Sequence, residues 1–230
     1  MGSNDDATWA GSRRLKTLAN HFSNQKQPQA AAAGFAKRAA VLVCLFPGDD
    51  GNLRVILTKR ASTLSSYSGE VSLPGGKMDE GDADCVDTAL REAKEEIGLD
   101  PSQVLVVTTL DPFIAKGDVL VVPVIGLLRD KRAFNPIPNT AEVEAVFDAP
   151  LDLFLKDENR RAEEKEWKGE EFICNFFDYE CHNKKYVIWA LTAVILITSA
   201  SLVYQRPPDF SERRPKIWSS DAVKLSQTGP

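Results

Sequence analysis

The chain has 230 residues, enough for one substantial domain whose core needs no staple. Its composition, 43% hydrophobic and 27% charged, is that of an ordinary soluble globular protein. The net charge of −5 argues against non-specific nucleic-acid binding, which favours a basic face, so no nucleic-acid partner is expected.

Residues 1–36 read as a polar tail containing the run Pro28-Gln29-Ala30 to Ala33 and one short helix. No apolar stretch of a secretory signal follows Met1. Arg14-Leu15, followed after residues 16–20 by His21-Phe22, resembles a bipartite peroxisomal import signal. Leu15, Leu18 and Phe22 also form one stripe of a short amphipathic helix, and that is the preferred reading. Pro230 ends the chain without a Ser-Lys-Leu-type tripeptide.

Ala39–Phe46 is a continuous apolar run, as expected of a buried strand. Gly48-Asp49-Asp50-Gly51-Asn52 is a turn, and Leu53–Thr58 a second strand, so the two form a hairpin. Ser62–Ser68 is a polar loop leading to Val71 and Leu73. A Gly/Asp-rich approach over 77–84 then enters a helix, with Asp82 or Asp84 as N-cap. The helix runs to about Ile97, where Gly98 and Asp100-Pro101 stop it. Val86, Leu90, Ala93 and Ile97 share one stripe that faces the core, which leaves the glutamate side open.

Val104–Leu110, Val119–Leu127 and Val143–Asp148 read as further strands; Pro123 places the middle one at an edge or at a bulge. Lys156–Glu171 is strongly charged and reads as a solvated surface segment or a loop flanking a site. Phe172–Tyr179 is a late strand. Tyr186–Tyr204 carries no charge and is long enough to span a bilayer. It also contains Thr192, Thr198, Ser199 and Ser201, and a helix apolar all round is equally a core helix. Strands that come first in hairpins, with helices inserted, predict a mixed sheet covered on both faces. Cys44, Cys85, Cys174 and Cys181 include no CxxC pair and read as reduced thiols. Cys174, Cys181 and His182 lack a fourth ligand for zinc.

The most informative segment is Arg91-Glu92-Ala93-Lys94-Glu95-Glu96-Ile97-Gly98-Leu99. Residues at i, i+3 and i+4 are helix neighbours, so Glu92, Glu95 and Glu96 converge and repel by roughly 0.2–0.5 kcal/mol per pair. A cluster held at that cost suits a hard divalent cation, since Mg²⁺ takes carboxylate and phosphate oxygens.

Gly76, a short acidic loop, and then Arg-Glu-aliphatic-X-Glu-Glu-X-Gly-aliphatic resemble the signature of the Nudix hydrolases. Arg91–Leu99 matches every fixed position, with Ala93 in the aliphatic slot. The general pattern wants Glu eight residues before the Arg; Ala83 stands there, with Asp82 one place earlier. That shift resembles the coenzyme A diphosphatase branch. So does the upstream stretch Leu57-Thr58-Lys59-Arg60-Ala61, Gly69 and Leu73-Pro74-Gly75-Gly76. Ser65 replaces a usual Arg there, and Leu73 a usual Phe. The tail end, Val187–Pro208, is similar to the same branch.

The resemblance implies a Nudix-type α/β/α sandwich with a mixed β-sheet over residues 37–218, flanked by tails over 1–36 and 219–230. The long apolar helix then packs on the sheet, and no membrane partner is expected. It also implies an enzyme that hydrolyses the diphosphate of coenzyme A and its derivatives with Mg²⁺ or Mn²⁺. The alternative is another nucleoside diphosphate derivative: ADP-ribose, NADH or an oxidised nucleotide.

Glu92 and Glu96 are implied as principal metal ligands, Glu95 as a further one, and the Gly76 carbonyl as completing the shell. Arg91 orients a glutamate. The catalytic base stays open between a motif glutamate, Glu95 or Glu96, and the distant Glu142 or Glu144, which read equally well as solvent-facing residues. Arg60, Lys59 and Lys77 lie near the loop and are candidates to meet substrate phosphates. The expected partner is a small nucleotide of the coenzyme A kind, with a homodimer compatible. The expected location is intracellular: cytosol first, with peroxisome or mitochondrion as alternatives.

Overall fold

The computed structural model describes residues 36–167 and 169–215. The short N-terminal helix, the import-like motif and the tail over 219–230 lie outside the described residues. Strand β1 (Lys37–Pro47) runs through the centre of the main sheet. Its side chains alternate: Ala40, Leu42, Cys44 and Phe46 enter one apolar cluster, and Val43 and Leu45 enter another. A strand whose successive side chains point to opposite faces, both buried, has to read as an unbroken apolar run.

The hairpin partner β2 (Leu53–Arg60) is antiparallel to β1, and β7 (Val119–Leu128) is parallel to it, so the sheet is mixed. β5 (Val104–Thr109) lies outside β7. β3 (Val71–Ser72) and β8 (Val143–Pro150) both pair with β2. β4 (Gly75–Lys77) pairs with Ala39–Val41 of β1, and β6 (Phe113–Ala115) with β7. Together these make eight strands, of which β3, β4 and β6 escaped the sequence reading because each is only two or three residues long.

Helix α1 (Cys85–Ile97) covers one face, burying Ala89, Ala93 and Ile97 against Ala40, Leu42 and Cys44. Helix α2 (Ala190–Tyr204) covers the other with Ala193 to Ile197 and Ala200. The architecture is an α/β/α sandwich. Each fully buried Leu or Ile side chain in it contributes about 1.5–3 kcal/mol, which is what holds a three-layer fold together.

Three expectations are corrected here. β7 is interior, between β1 and β5, not an edge. Pro123 is tolerated because its carbonyl accepts from Leu110 N–H at 2.9 Å while its missing N–H faces the break between β5 and β6. The charged stretch is not a loop: Arg160–Trp167 is β9, an exposed strand paired with β10 (Glu170–Cys181) in a second antiparallel sheet. That sheet is completed by β11 (Lys184–Trp189), so the uncharged run is part strand and part helix.

Among the described residues no helix is long and apolar enough to cross a membrane. The helical part, Ala190–Tyr204, is a core helix in which the Thr192, Thr198 and Ser199 hydroxyls find backbone carbonyls. Thr198 donates to Val194 O and Ser199 to Ile195 O, both at 2.8 Å, and Thr192 donates to Val71 O at 3.2 Å. Zinc is also disfavoured geometrically. Cys174 and Cys181 sit on one strand seven residues apart, which at about 3.3 Å per residue is roughly 23 Å, too far to share an ion.

Candidate active site

The site forms where β1 changes neighbours. Its C-terminal end pairs with β2 (Leu45 opposite Val55), while its N-terminal end pairs with β4 (Ala40 opposite Gly76). The sheet therefore splits, and α1 lies across the split. Asp84 caps α1, accepting from the N–H groups of Val86 and Asp87 at 2.8 and 2.9 Å. Gly98, at φ 72°, ends it with the left-handed turn that glycine adopts without strain. Burial of Ala89, Ala93 and Ile97 then fixes the rotation of the helix and presents Glu92 and Glu96 to β4.

Two glycines make that approach possible. A Cβ at Gly76 would lie 2.5–2.6 Å from the Glu92 carboxyl group, so a glycine lets that carboxyl stay where it is. Gly75 has φ +152°, and a Cβ there would meet Ala40 O at 2.3 Å. Its N–H donates to Glu96 Oε2 at 3.1 Å.

The glutamates are not equally open, which corrects the expectation of one exposed acidic face. The Glu96 side chain is 3% exposed and that of Glu95 57%. Burial, reinforced by the charges of Glu92 and Glu142, pushes the Glu96 carboxyl up to about 7, against the Gly75 N–H and Arg60. Burial also raises Glu92, with Arg91 opposing and Glu95 and Glu142 adding to the rise. The charge of Glu142 thus acts on both Glu92 and Glu96, although Glu142 comes from a different loop. That loop is tied to α1 by Asn139 N–H to Glu96 O (2.9 Å) and Ile137 N–H to Ile97 O (3.0 Å).

Arg91 is the hub of the acidic approach. Its Nε and Nη2 hold the Asp82 carboxylate bidentately at 2.8 and 3.0 Å, and Nη2 also donates to Lys77 O at 3.0 Å. It reaches Glu95 at 3.0 Å and Glu92 at 3.1 Å. Arg91 therefore braces glutamates. Asp82 is the residue that sequence reasoning underused. Weighed as an N-cap, it leaves that position to Asp84 and instead anchors Arg91. Its displacement by one place from the general acidic position was the available signal.

Of the expected phosphate contacts, Arg60 is best placed. Its Nη1 lies 3.9 Å from Glu96 Oε1, and its Nε is buried with no hydrogen-bond partner among the described residues. Lys59 is committed elsewhere, to Glu144 at 2.7 Å. That pairing also removes Glu144 from the glutamate cluster. Lys77 is exposed on β4, beside Gly76. Of the two departures upstream, Leu73 is 3% exposed within the core, so its difference from Phe is a matter of packing. Ser65 is exposed on the loop after β2.

The donor set suits a hard divalent cation. Two carboxylates raised by burial and mutual repulsion are relieved when a cation joins them. Among the described residues no three acidic, His or Cys side chains form a ready-made cage, so the remaining ligands of such an ion would be backbone, water or phosphate oxygens.

Residues 36–170 match the family model described as the NUDIX domain. The chain belongs to the Nudix hydrolase family. It is 67% identical over 181 residues to "Nudix hydrolase 15, mitochondrial" of Arabidopsis thaliana, covering 79% of this chain and 64% of that one. It is 63% identical over 181 residues to "Nudix hydrolase 22, chloroplastic" of the same plant, covering 79% and 60%. This chain therefore spans less than two thirds of either plant protein. "Peroxisomal coenzyme A diphosphatase NUDT7" of Mus musculus is 38% identical over 162 residues, covering 70% of this chain and 68% of the mouse protein.

Proposed function

We propose that this chain, as one domain over residues 37–218, hydrolyses the diphosphate of coenzyme A and its derivatives to 3′,5′-ADP and 4′-phosphopantetheine. The observation that carries the reading is the pairing of Glu92 and Glu96 against Gly75-Gly76, with Glu142 across from them and Arg60 beside them. The upstream Leu57–Gly76 stretch and the similarity to a mouse protein named a coenzyme A diphosphatase point to the substrate. Mg²⁺ or Mn²⁺, when bound, would offset phosphate charge and lower the pKa of water.

The chain's own residues divide the remaining work. Glu92 and Glu96 would hold the cation beside the Gly76 backbone, Arg91 keeps Glu92 in place, and the exposed Glu95 pairs with Arg91 at the rim. Arg60, whose Nη1 lies 3.9 Å from Glu96 Oε1, and the exposed Lys77 beside Gly76 would supply positive charge to the phosphates. Glu142, on a separate loop, is the better-placed distant base, because Glu144 is paired with Lys59. The alternative substrate class, ADP-ribose, NADH or an oxidised nucleotide, rests on Ser65, where a cationic side chain is missing.

A substrate panel with Mg²⁺ and Mn²⁺, with products identified by mass, tests the reading. Intact coenzyme A beside a cleaved dinucleotide would refute the substrate assignment. Glu96→Gln is expected to lower turnover by at least about 10²-fold with folding retained, because charge stabilisation by the ion supplies several kcal/mol.

A further inference from the structure

A cavity of ≈ 270 Å³ opens beside the site, lined by Ala61, Ser62, Thr63, Thr140, Val143 and Glu144. Its two walls are the loop after β2 and the loop before β8, joined by Ala61 N–H to Glu142 O at 2.8 Å. Each wall continues directly into the cluster described above: Arg60 precedes Ala61, and Glu142 precedes Val143. The cavity is thus flanked along the chain by Arg60 and Glu142, the two residues from outside α1 whose charges act on Glu96.

The lining identifies what fits. Ala61 (5% exposed) and Val143 (1%) make an apolar floor. Ser62, Thr63 and Thr140 bring hydroxyls, and Glu144 brings a carboxylate. No Lys or Arg lines it, and Lys59 at its edge is already paired with Glu144 at 2.7 Å. A phosphate would meet the Glu144 carboxylate and no lining cation here. Hydroxyls and a carboxylate over an apolar floor instead match a neutral chain bearing amide N–H and hydroxyl groups. The volume is below the roughly 300–1,000 Å³ of a pocket for a whole drug-sized ligand, so it takes one arm of the substrate.

We propose that the Ala61–Thr63/Thr140–Glu144 cavity binds the uncharged, amide- and hydroxyl-bearing arm beyond the diphosphate, and so sets substrate choice. The inference rests on the diphosphatase reading and deepens it. A pantetheine-like arm has the required amide and hydroxyl groups and no charge, whereas the phosphorylated nucleoside at the other end of coenzyme A brings a negative charge that no lining residue offsets.

The test uses the full chain. Ser62→Phe fills the cavity from an exposed position, and Thr140→Val removes a hydroxyl at constant shape. In each variant the ratio of kcat/KM for coenzyme A to that for ADP-ribose is expected to fall, about tenfold for Ser62→Phe. A ratio that stays at the wild-type value in a variant with an unchanged melting temperature overturns the proposal. Free pantetheine, which has no diphosphate, supplies a readout independent of turnover. It should shift the amide signals of Ser62, Thr63 and Thr140 in wild type and not in Ser62→Phe. If no coenzyme A is cleaved but pantetheine still shifts those signals, the substrate reading fails and the cavity assignment stands. Shifts absent at those residues refute the cavity assignment whatever is hydrolysed.

Discussion

Replacing Asp82 with alanine removes the acceptor that holds Arg91. The Asp82 side chain is 3% exposed and takes hydrogen bonds from Arg91 Nε and Nη2, Thr88 Oγ1 (2.9 Å) and Asp79 N–H (2.9 Å). Breaking a buried pair by deleting one partner costs about 3–5 kcal/mol. Arg91 is 25% exposed and keeps Lys77 O, Glu92 and Glu95, so the lower end, about 3 kcal/mol, applies. At roughly 2–4 °C per kcal/mol for a chain of this size, the melting temperature should fall by about 6–12 °C.

The same pair gives a pH signature. Hydrogen bonding to Arg91 holds the Asp82 carboxyl far below its usual range, with the Asp79 N–H and Thr88 assisting. A carboxyl depressed in the folded state stabilises fully above its unfolded value of about 3.8 and loses that contribution as the pH falls further. The gap in melting temperature between wild type and Asp82→Ala, followed by circular dichroism, should therefore be constant near neutrality and close below about pH 4. A variant melting within about 2 °C of wild type at pH 7 would refute the bracing role, since the lost pair predicts three times that or more.

Gly76→Ala places a methyl against the Glu92 carboxylate, a side chain that can move. Displacing it by an ångström should cut kcat by about 10²-fold, with little change in melting temperature. Gly75→Ala meets backbone instead, at φ +152°, and should lower stability by about 1–3 kcal/mol in urea titration. In metal-free protein, the raised Glu96 carboxyl makes the folded state bind more protons than the unfolded one between about 4.5 and 7. Stability should then fall from about pH 5 to pH 8, and Mn²⁺ should restore it most at pH 8; a flat thermal-shift profile would count against the metal assignment. Leu73→Phe overfills a buried slot and should cost about 1–3 kcal/mol without changing the order of preferred substrates. Ser65→Arg, on an exposed loop, should instead lower KM for coenzyme A and leave the melting temperature unaltered, as measured by steady-state kinetics.

The local pattern of the chain determined its longer apolar strands, the acidic helix α1 and the family to which it belongs. Apolar runs marked β1, β2, β5 and β7 because burial on both faces leaves no alternative composition. Asp84, the stripe Val86, Leu90, Ala93 and Ile97, and Gly98 bounded α1 through caps and period alone, although Ala89 is fully buried where Val86 and Leu90 are only partly so. Features that depend on distant partners were not legible. β9 is charged on both faces and becomes a strand only by pairing with β10. The boundary between β11 and α2 is hidden inside one uncharged run, because a buried strand and a buried helix have the same composition. The sequence brought Glu92, Glu95 and Glu96 to one helical turn, but helical spacing carries no information about burial. Only the sheet, split where β1 passes from β2 to β4, buried Glu96, turned Glu95 outward onto Arg91 and brought Arg60 and Glu142 to the same end. Asp82 was readable as a shifted acid; its grip on Arg91 required the 77–84 loop to fold back over the helix, a contact that no local propensity encodes.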